Sequence, residues 1–123
     1  MEKITLTRGG VYLAKLDPAK HVEIGKIRPI VVLTSQIILN TQPFIVFVCP
    51  LSSQSQPAFS SLHVQLPPRD SLEVTSYALV EHCRSVTMQR IVYPRLAQLD
   101  ESEINKIIQR LQRMIGWEES YEA

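Results

Sequence analysis

The sequence predicts a small, mainly antiparallel β barrel closed by one C-terminal α-helix. Three observations carry that prediction. Short apolar runs recur between clusters of proline, glycine and serine. Sustained helical spacing appears only once, after Asp100. The chain has 123 residues, 45% of them hydrophobic and 20% charged, which suits one globular domain over 1–123, with 118–123 as a frayed polar tail.

Taken in order, Gly9-Gly10 marks a turn, and Val11–Leu16 alternates as a first strand with Val11, Leu13 and Lys15 on one side. Asp17-Pro18 ends that strand, and residues 19–27 follow neither period, so they read as a loop. Pro29 fixes its own φ and pushes Arg28 towards an extended conformation. Ile30–Thr34 then reads as a buried second strand. Ser35–Pro43 is a polar connection with room for a short turn of helix. Phe44–Cys49 is the most apolar run and therefore the central strand, which Pro50 is expected to stop.

Residues 51–61 form a loop dense in hydroxyls and amides, and Leu62–Leu66 alternates as a fourth strand. After a turn at Pro67–Ser71, Ser76–Val86 reads as one long strand. Val86–Leu96 reads as short strand and turn, broken at Pro94. Asp100 with Glu103 three residues on predicts a capping box, and acidic residues in a first turn suit the helix dipole. Ile104, Ile107, Ile108, Leu111 and Ile115 recur at helical spacing as one apolar face, and Gly116 predicts the helix end. Trp117 follows.

Composition excludes several classes. No apolar run approaches the ~20 residues that span a bilayer. The first residues lack the apolar core of an export signal, so the expected location is cytoplasmic. Cys49 and Cys83 both fall in predicted strands with no Cys-x-x-Cys spacing, which predicts buried reduced thiols rather than a metal site. Net charge is +1, yet residues 1–99 carry ten Lys/Arg against six Asp/Glu, while residues 100–123 carry three against six. A mildly basic body with an acidic end is compatible with an anionic ligand.

No glycine-rich phosphate loop, metal-ligand cluster or nucleophile elbow is present in the sequence, and His21, His63 and His82 are scattered. Two places stand out. Arg28 begins the second strand, and Ser52-Ser53-Gln54 follows the third. The start of one strand and the end of its antiparallel neighbour lie at the same end of a barrel, so Arg28 and Ser52 can share a site. A forked, permanently charged guanidinium beside a hydroxyl, with Glu23 in the adjacent loop, suits phosphate chemistry. With no metal, the nucleophile must come from the substrate, and RNA supplies its 2′-OH where DNA cannot. The alternative is structural: Arg28 caps its strand along the surface, and the serines are an inert hairpin loop.

A set of ordered motifs narrows the choice. Arg8-Gly-x-Val-Tyr-Leu-x-x-Leu-Asp-Pro comes first, then Glu23-x-x-x-x-Arg-Pro-x-Val-Val-Leu, then Val46-x-Val-Cys-Pro-Leu-Ser-Ser-Gln. Val80-Glu-His-Cys-Arg-Ser-Val and an amphipathic helix ending in glycine complete the series. In order and spacing, over about residues 8–116, the chain resembles the MazF/PemK/Kid family of toxin endoribonucleases. The resemblance implies an SH3-like or CcdB-like barrel that forms a homodimer, cleaves single-stranded RNA without cofactor or metal, and is inhibited by a cognate antitoxin protein.

Carried over residue by residue, Arg28 falls on the family's catalytic arginine, which stabilises the pentavalent transition state or protonates the leaving 5′ oxygen. Ser52 falls where many members have a catalytic threonine, keeping the hydroxyl, and Ser53 stands beside it. Glu23 falls on the loop glutamate. The resemblance makes His21, Lys26, Ser53, Gln54, Glu81, His82 and Arg84 the expected RNA-binding residues. Two departures matter. His21-Val22 stands where many members have Gly-Ser, and the Arg-x-Asp pair of the Kid-like branch is absent, with Leu79 and Glu81 there. That branch's acid/base assignment does not transfer, and His21 and His82 become the candidates for proton transfer. The competing reading is a non-enzymatic, CcdB-like toxin or an SH3-like binding module acting on a protein.

Overall fold

The structure, a computed structural model, describes residues 4–16 and 27–116. Its elements are β1 (Gly10–Lys15), β2 (Ile27–Val32), α1 (Gln36–Leu39), β3 (Ile45–Ser52), β4 (Val64–Leu66), β5 (Ser76–Ala78), β6 (Arg84–Thr87), β7 (Ile91–Gln98) and α2 (Glu101–Met114). All pairings are antiparallel in the order β4-β5-β3-β2-β1-β7, with β6 also on β3. The result is the expected mainly β fold, a curled antiparallel sheet with a C-terminal helix.

The two faces of the sheet hold two cores. Val31, Cys49, Leu51, Leu66, Val80, Ile104 and Ile107 belong to one, on the α2 side. Ile30, Val32, Val46, Val48, Val86 and Ile91 belong to the other. Alternation therefore buries every residue of Ile30–Val32, which is why the run is unbroken in apolar character. Gly9 joins the layers. Its φ is +83°, and a Cβ there would collide with the Ile104 side chain and lie 2.8 Å from Gln98 Nε2, so only glycine lets β1 approach α2 this closely.

Helix α2 forms as its spacing predicts. The Asp100 side chain accepts from the Glu103 N–H at 2.8 Å, and the Glu103 side chain accepts from the Asp100 N–H at 3.0 Å. Ile104 and Ile107 are buried, and Ile108 and Leu111 pack against the same core. Ile115 departs from the expectation: it lies past the last helical residue and is exposed. Gly116, at φ +79°, follows as the helix-ending residue.

Three proline and strand expectations are corrected. The second strand starts at Ile27, so Arg28 and Pro29 lie within it, opposite Ala14 and Leu13. Pro50 does not stop the third strand, which runs on to Ser52. The Pro50 carbonyl accepts from the Leu79 N–H at 2.9 Å, so the missing Pro50 N–H faces the same side, where the neighbouring strand bulges away and needs no donor. Pro94 likewise stays within β7, because between the pairs Val11–Ala97 and Leu13–Val92 four residues of β7 face Tyr12 alone.

The run 76–86 is also not one strand. β5 pairs with Leu51–Ser52 and β6 with Ile45–Val48, while a 3-10 turn at Val80–His82 separates them. Five residues, Leu79–Cys83, face two, Cys49 and Pro50. Alternation cannot show such an insertion, since both flanks keep strand character. The first strand ends at Lys15 and the fourth begins at Val64, each shorter than expected. The short helical turn in 35–43 is present as α1, capped by Ser35. No described helix is long and apolar enough to cross a membrane.

Candidate active site

The site is built around a missing backbone donor. The Leu33 N–H donates to the Phe47 carbonyl at 2.9 Å, which sets the parity of hydrogen bonding between β2 and β3. Continuing the register Ile30–Pro50 places Pro29 opposite Leu51, at a position where an ordinary residue would donate its N–H to the Leu51 carbonyl. Pro29 has none. The Arg28 guanidinium donates to that carbonyl instead, at 3.5 Å. Arg28-Pro29 thus fixes an arginine side chain across the end of the β2–β3 ladder, with the rest of its fork open to an anion.

Two hollows flank this guanidinium. The larger, about 600 Å³, is lined by Arg28, Ser52, Ser53 and Gln54, with Leu72, Val74 and Ser76 on its far wall. The smaller, about 200 Å³, is lined by Leu16, Arg28, Pro50, Leu79, His82 and Arg84. Arg28 belongs to both. The Ser52 Oγ accepts from the Gln54 N–H at 3.1 Å, which turns the loop back and leaves the Ser52 hydroxyl proton available as a donor.

The structure therefore brings Arg28, Ser52, Ser53 and Gln54 together in one hollow, and Arg28, His82 and Arg84 in the other. The bulge in 79–83 does the second half of this work, carrying His82 out of the ladder so that its side chain is 64% exposed. Glu81 departs from the grouping. Its carboxylate turns to His63, whose Nε2 lies 2.9 and 2.8 Å from its two oxygens, and only 3.8 Å separates it from His82 Nε2. A carboxylate so engaged is a structural partner rather than a surface for a polyanion. His21, Glu23 and Lys26 lie outside the described residues.

No local pattern in the chain announces the His63–Glu81 pair. His63 is buried, its ring stacks on Phe59 at 5.6 Å, and its carbonyl accepts from Arg110 Nη1 at 2.5 Å. Burial pushes the Glu81 carboxyl up, but the His63 hydrogen bond, a backbone hydrogen bond and the neighbouring His82 outweigh it and hold the carboxyl below its usual value. Nor does local sequence mark the 67–76 segment as a wall of the larger hollow. It is folded back there by the Arg69–Leu72 bridge and by the bidentate Arg69–Glu103 pair to α2. Only the arginine at 69 hinted at this, and arginine is common on surfaces.

Comparison with known proteins agrees with this fold and its motifs. A family model described as PemK-like, MazF-like toxin of type II toxin-antitoxin system matches residues 7–115. The protein named Endoribonuclease EndoA of Bacillus subtilis (strain 168) is 31% identical over 106 residues, covering 85% of this chain and 90% of its own length. A crystal structure of MazE-MazF (Form-II) from Deinococcus radiodurans superposes with a TM-score of 0.74 at 21% identity, covering 94% of this chain and 100% of that one. An endoribonuclease in complex with its cognate antitoxin, from Mycobacterial species, gives 0.66 at 18% identity, covering 91% and 94%. At these identities the two solved structures speak for the fold.

Proposed function

The chain belongs to the family of PemK-like, MazF-like toxins of type II toxin-antitoxin systems, and from that premise we propose that it is an endoribonuclease cleaving single-stranded RNA. The observation that carries this reading is Arg28, anchored on the Leu51 carbonyl between a hollow bearing the Ser52 hydroxyl and a hollow bearing His82 and Arg84.

In this reading the scissile phosphate sits on Arg28. The substrate's own 2′-OH attacks phosphorus, so no metal or cofactor is needed, and the products are a 2′,3′-cyclic phosphate and a 5′-OH. The Arg28 fork and the Ser52 hydroxyl donate to the charge that develops on the phosphoryl oxygens. His82 moves the proton between the 2′-OH and the departing 5′ oxygen, Glu23 takes the role of the family's loop glutamate, and Arg84 holds the flanking phosphate. Val74, exposed on the rim of the larger hollow, offers an apolar surface to a base. The protein acts in the cytoplasm as a single-domain toxin, held in check by a cognate antitoxin protein.

A homodimer is part of the same proposal. Ile37, Ile38, Phe44 and Ile45 are all exposed within one ten-residue stretch, and Ile45 opens β3 at the end far from Ser52. Such a cluster fits an isologous contact that leaves the hollows free.

The test is cleavage of a long single-stranded RNA in EDTA. Wild type should fragment it, and a 2′-deoxy substitution at the cleaved position should block that cut. Arg28→Ala should abolish cleavage, and Ser52→Ala should slow it by roughly 10²–10³, the usual cost of one transition-state donor. RNA left intact by folded wild-type protein would sink the proposal and favour action on a protein target.

A further inference from the structure

Cys49 and Cys83 meet where the ladder between β3 and β6 reaches the bulge. The last registered pair is Val48 with Arg84, and the next position sets Cys49 directly opposite Cys83. The Met88 N–H donates to the Phe44 carbonyl at 2.9 Å, which fixes the parity of this ladder. Positions 44/88, 46/86 and 48/84 are the hydrogen-bonded pairs, and 49/83 falls in the other class. Opposed Cα atoms in that class lie about 4.5 Å apart, inside the window of about 4.4–6.8 Å that a disulfide spans.

The side chains agree with the backbone. Cys49 is buried in the core on the α2 side, Cys83 packs against that same core, and both are free thiols. The two sulfurs are within hydrogen-bonding reach of each other. Cys83 is partly exposed, at the last position of the bulge, so a small oxidant can reach it. The hydrogen bond from the Cys49 thiol holds the Cys83 thiol below its usual value, against burial and the Glu81 carboxylate, which push it up. The same bond, with burial, pushes Cys49 up. Access sets the division of labour: the half-exposed Cys83 is the attacking sulfur and the buried Cys49 the resolving one.

We propose that Cys49 and Cys83 are a dithiol that closes into a reversible intramolecular disulfide, a modification site directly behind the smaller hollow. The oxidant is a small organic disulfide. The Cys83 thiolate attacks one of its sulfurs, forming a mixed disulfide and expelling a thiolate that takes up a proton. Cys49 then gives up its proton, and its sulfur attacks the Cys83 Sγ, expelling the second small thiol. Two protein thiols become one disulfide, and one small disulfide becomes two thiols, so electrons and protons balance.

The bond draws two hydrogen-bonded sulfurs to about 2.05 Å at the end of the bulge. His82 and Arg84 flank Cys83, Pro50 follows Cys49, and all three line the smaller hollow. Closing the disulfide therefore reshapes that hollow and slows RNA cleavage. This last effect rests on the ribonuclease reading; the disulfide itself does not.

The experiment treats the full chain with oxidised glutathione and follows it by intact mass, alkylation under denaturing conditions and non-reducing peptide mapping. The expected product has lost the mass of two hydrogens, resists alkylation at both cysteines, links the Cys49 and Cys83 peptides within one chain, and reverts with dithiothreitol. Cys49→Ala should stop at a glutathione adduct on Cys83, and Cys83→Ser should take up no glutathione. Both thiols still open to alkylation, or a link between chains instead of within one, would overturn the proposal. Oxidised wild type should cleave RNA several-fold more slowly and recover on reduction. A disulfide that forms without slowing cleavage overturns the coupling, whereas RNA left intact by reduced protein overturns the ribonuclease reading and leaves the disulfide standing.

Discussion

At position 29 a lost donor sets the place of the neighbouring arginine. Proline removes the N–H that would occupy the Leu51 carbonyl, and the neighbouring arginine takes its place at 3.5 Å. The pairing of Arg28 with Pro29 is thereby a positioning device and not only a way to hold an extended backbone. Pro29→Ala would restore the backbone donor, so the Leu51 carbonyl would be satisfied within the ladder and Arg28 would lose its anchor. RNA cleavage should fall several-fold while thermal unfolding shifts little. A variant with full activity would show that the anchor is dispensable. Arg28→Ala with unchanged cleavage would remove the site altogether.

Among the elements, the bulge between β5 and β6 ties the most together. Its Glu81 reaches the His63 ring just ahead of β4, and Arg110 of α2 donates to the His63 backbone carbonyl, so one buried residue joins three pieces of the chain. Glu81→Gln should cost about 1–3 kcal/mol, since it removes the charge from a partly buried hydrogen bond. The sign of the pH dependence follows from the lowered Glu81 carboxyl. Its contribution is present above the unfolded value of 4.5 and is lost as pH falls through the lower folded value. The stability gap between wild type and Glu81→Gln should therefore be full near neutrality and close in acid; urea melts at several pH values read it directly. A gap that widened below pH 4.5 would contradict the assignment.

The same elements show what a single sequence reveals. Helix α2 was legible because its information is local: the Asp100–Glu103 box and the isoleucine spacing lie within one segment. Arg28 and Ser52 were placed together because adjacency of antiparallel strands is a strong rule, and one hollow does hold both. Pro50 and Pro94 read locally as strand breakers, yet a proline's cost depends on whether a neighbour needs its N–H, and that neighbour is remote in sequence. The bulge was invisible for the same reason. His63 and Glu81 are eighteen residues apart, and no local period connects them.

For the whole molecule, the proposed dimer turns on the separation between the two ends of β3. Phe44 lies just before its start and Ser52 at its finish, about 26 Å apart at about 3.3 Å per residue. Ile37→Asp combined with Phe44→Asp should give a monomer by sedimentation velocity at concentrations where wild type is a dimer, with secondary structure retained. A double variant that still dimerises would move the contact elsewhere. The bulge has a further consequence for how such a molecule can change over time. Leu79 bonds to Pro50 on one side, and Arg84 pairs with Val48 on the other, so Val80, Glu81 and His82 form an inset that the ladder does not require. Val80 is committed to the core and Glu81 to His63. The exposed His82 side chain touches the Glu81 carboxylate at 3.8 Å without entering the core, so position 82 can change its chemistry while the scaffold stays in register.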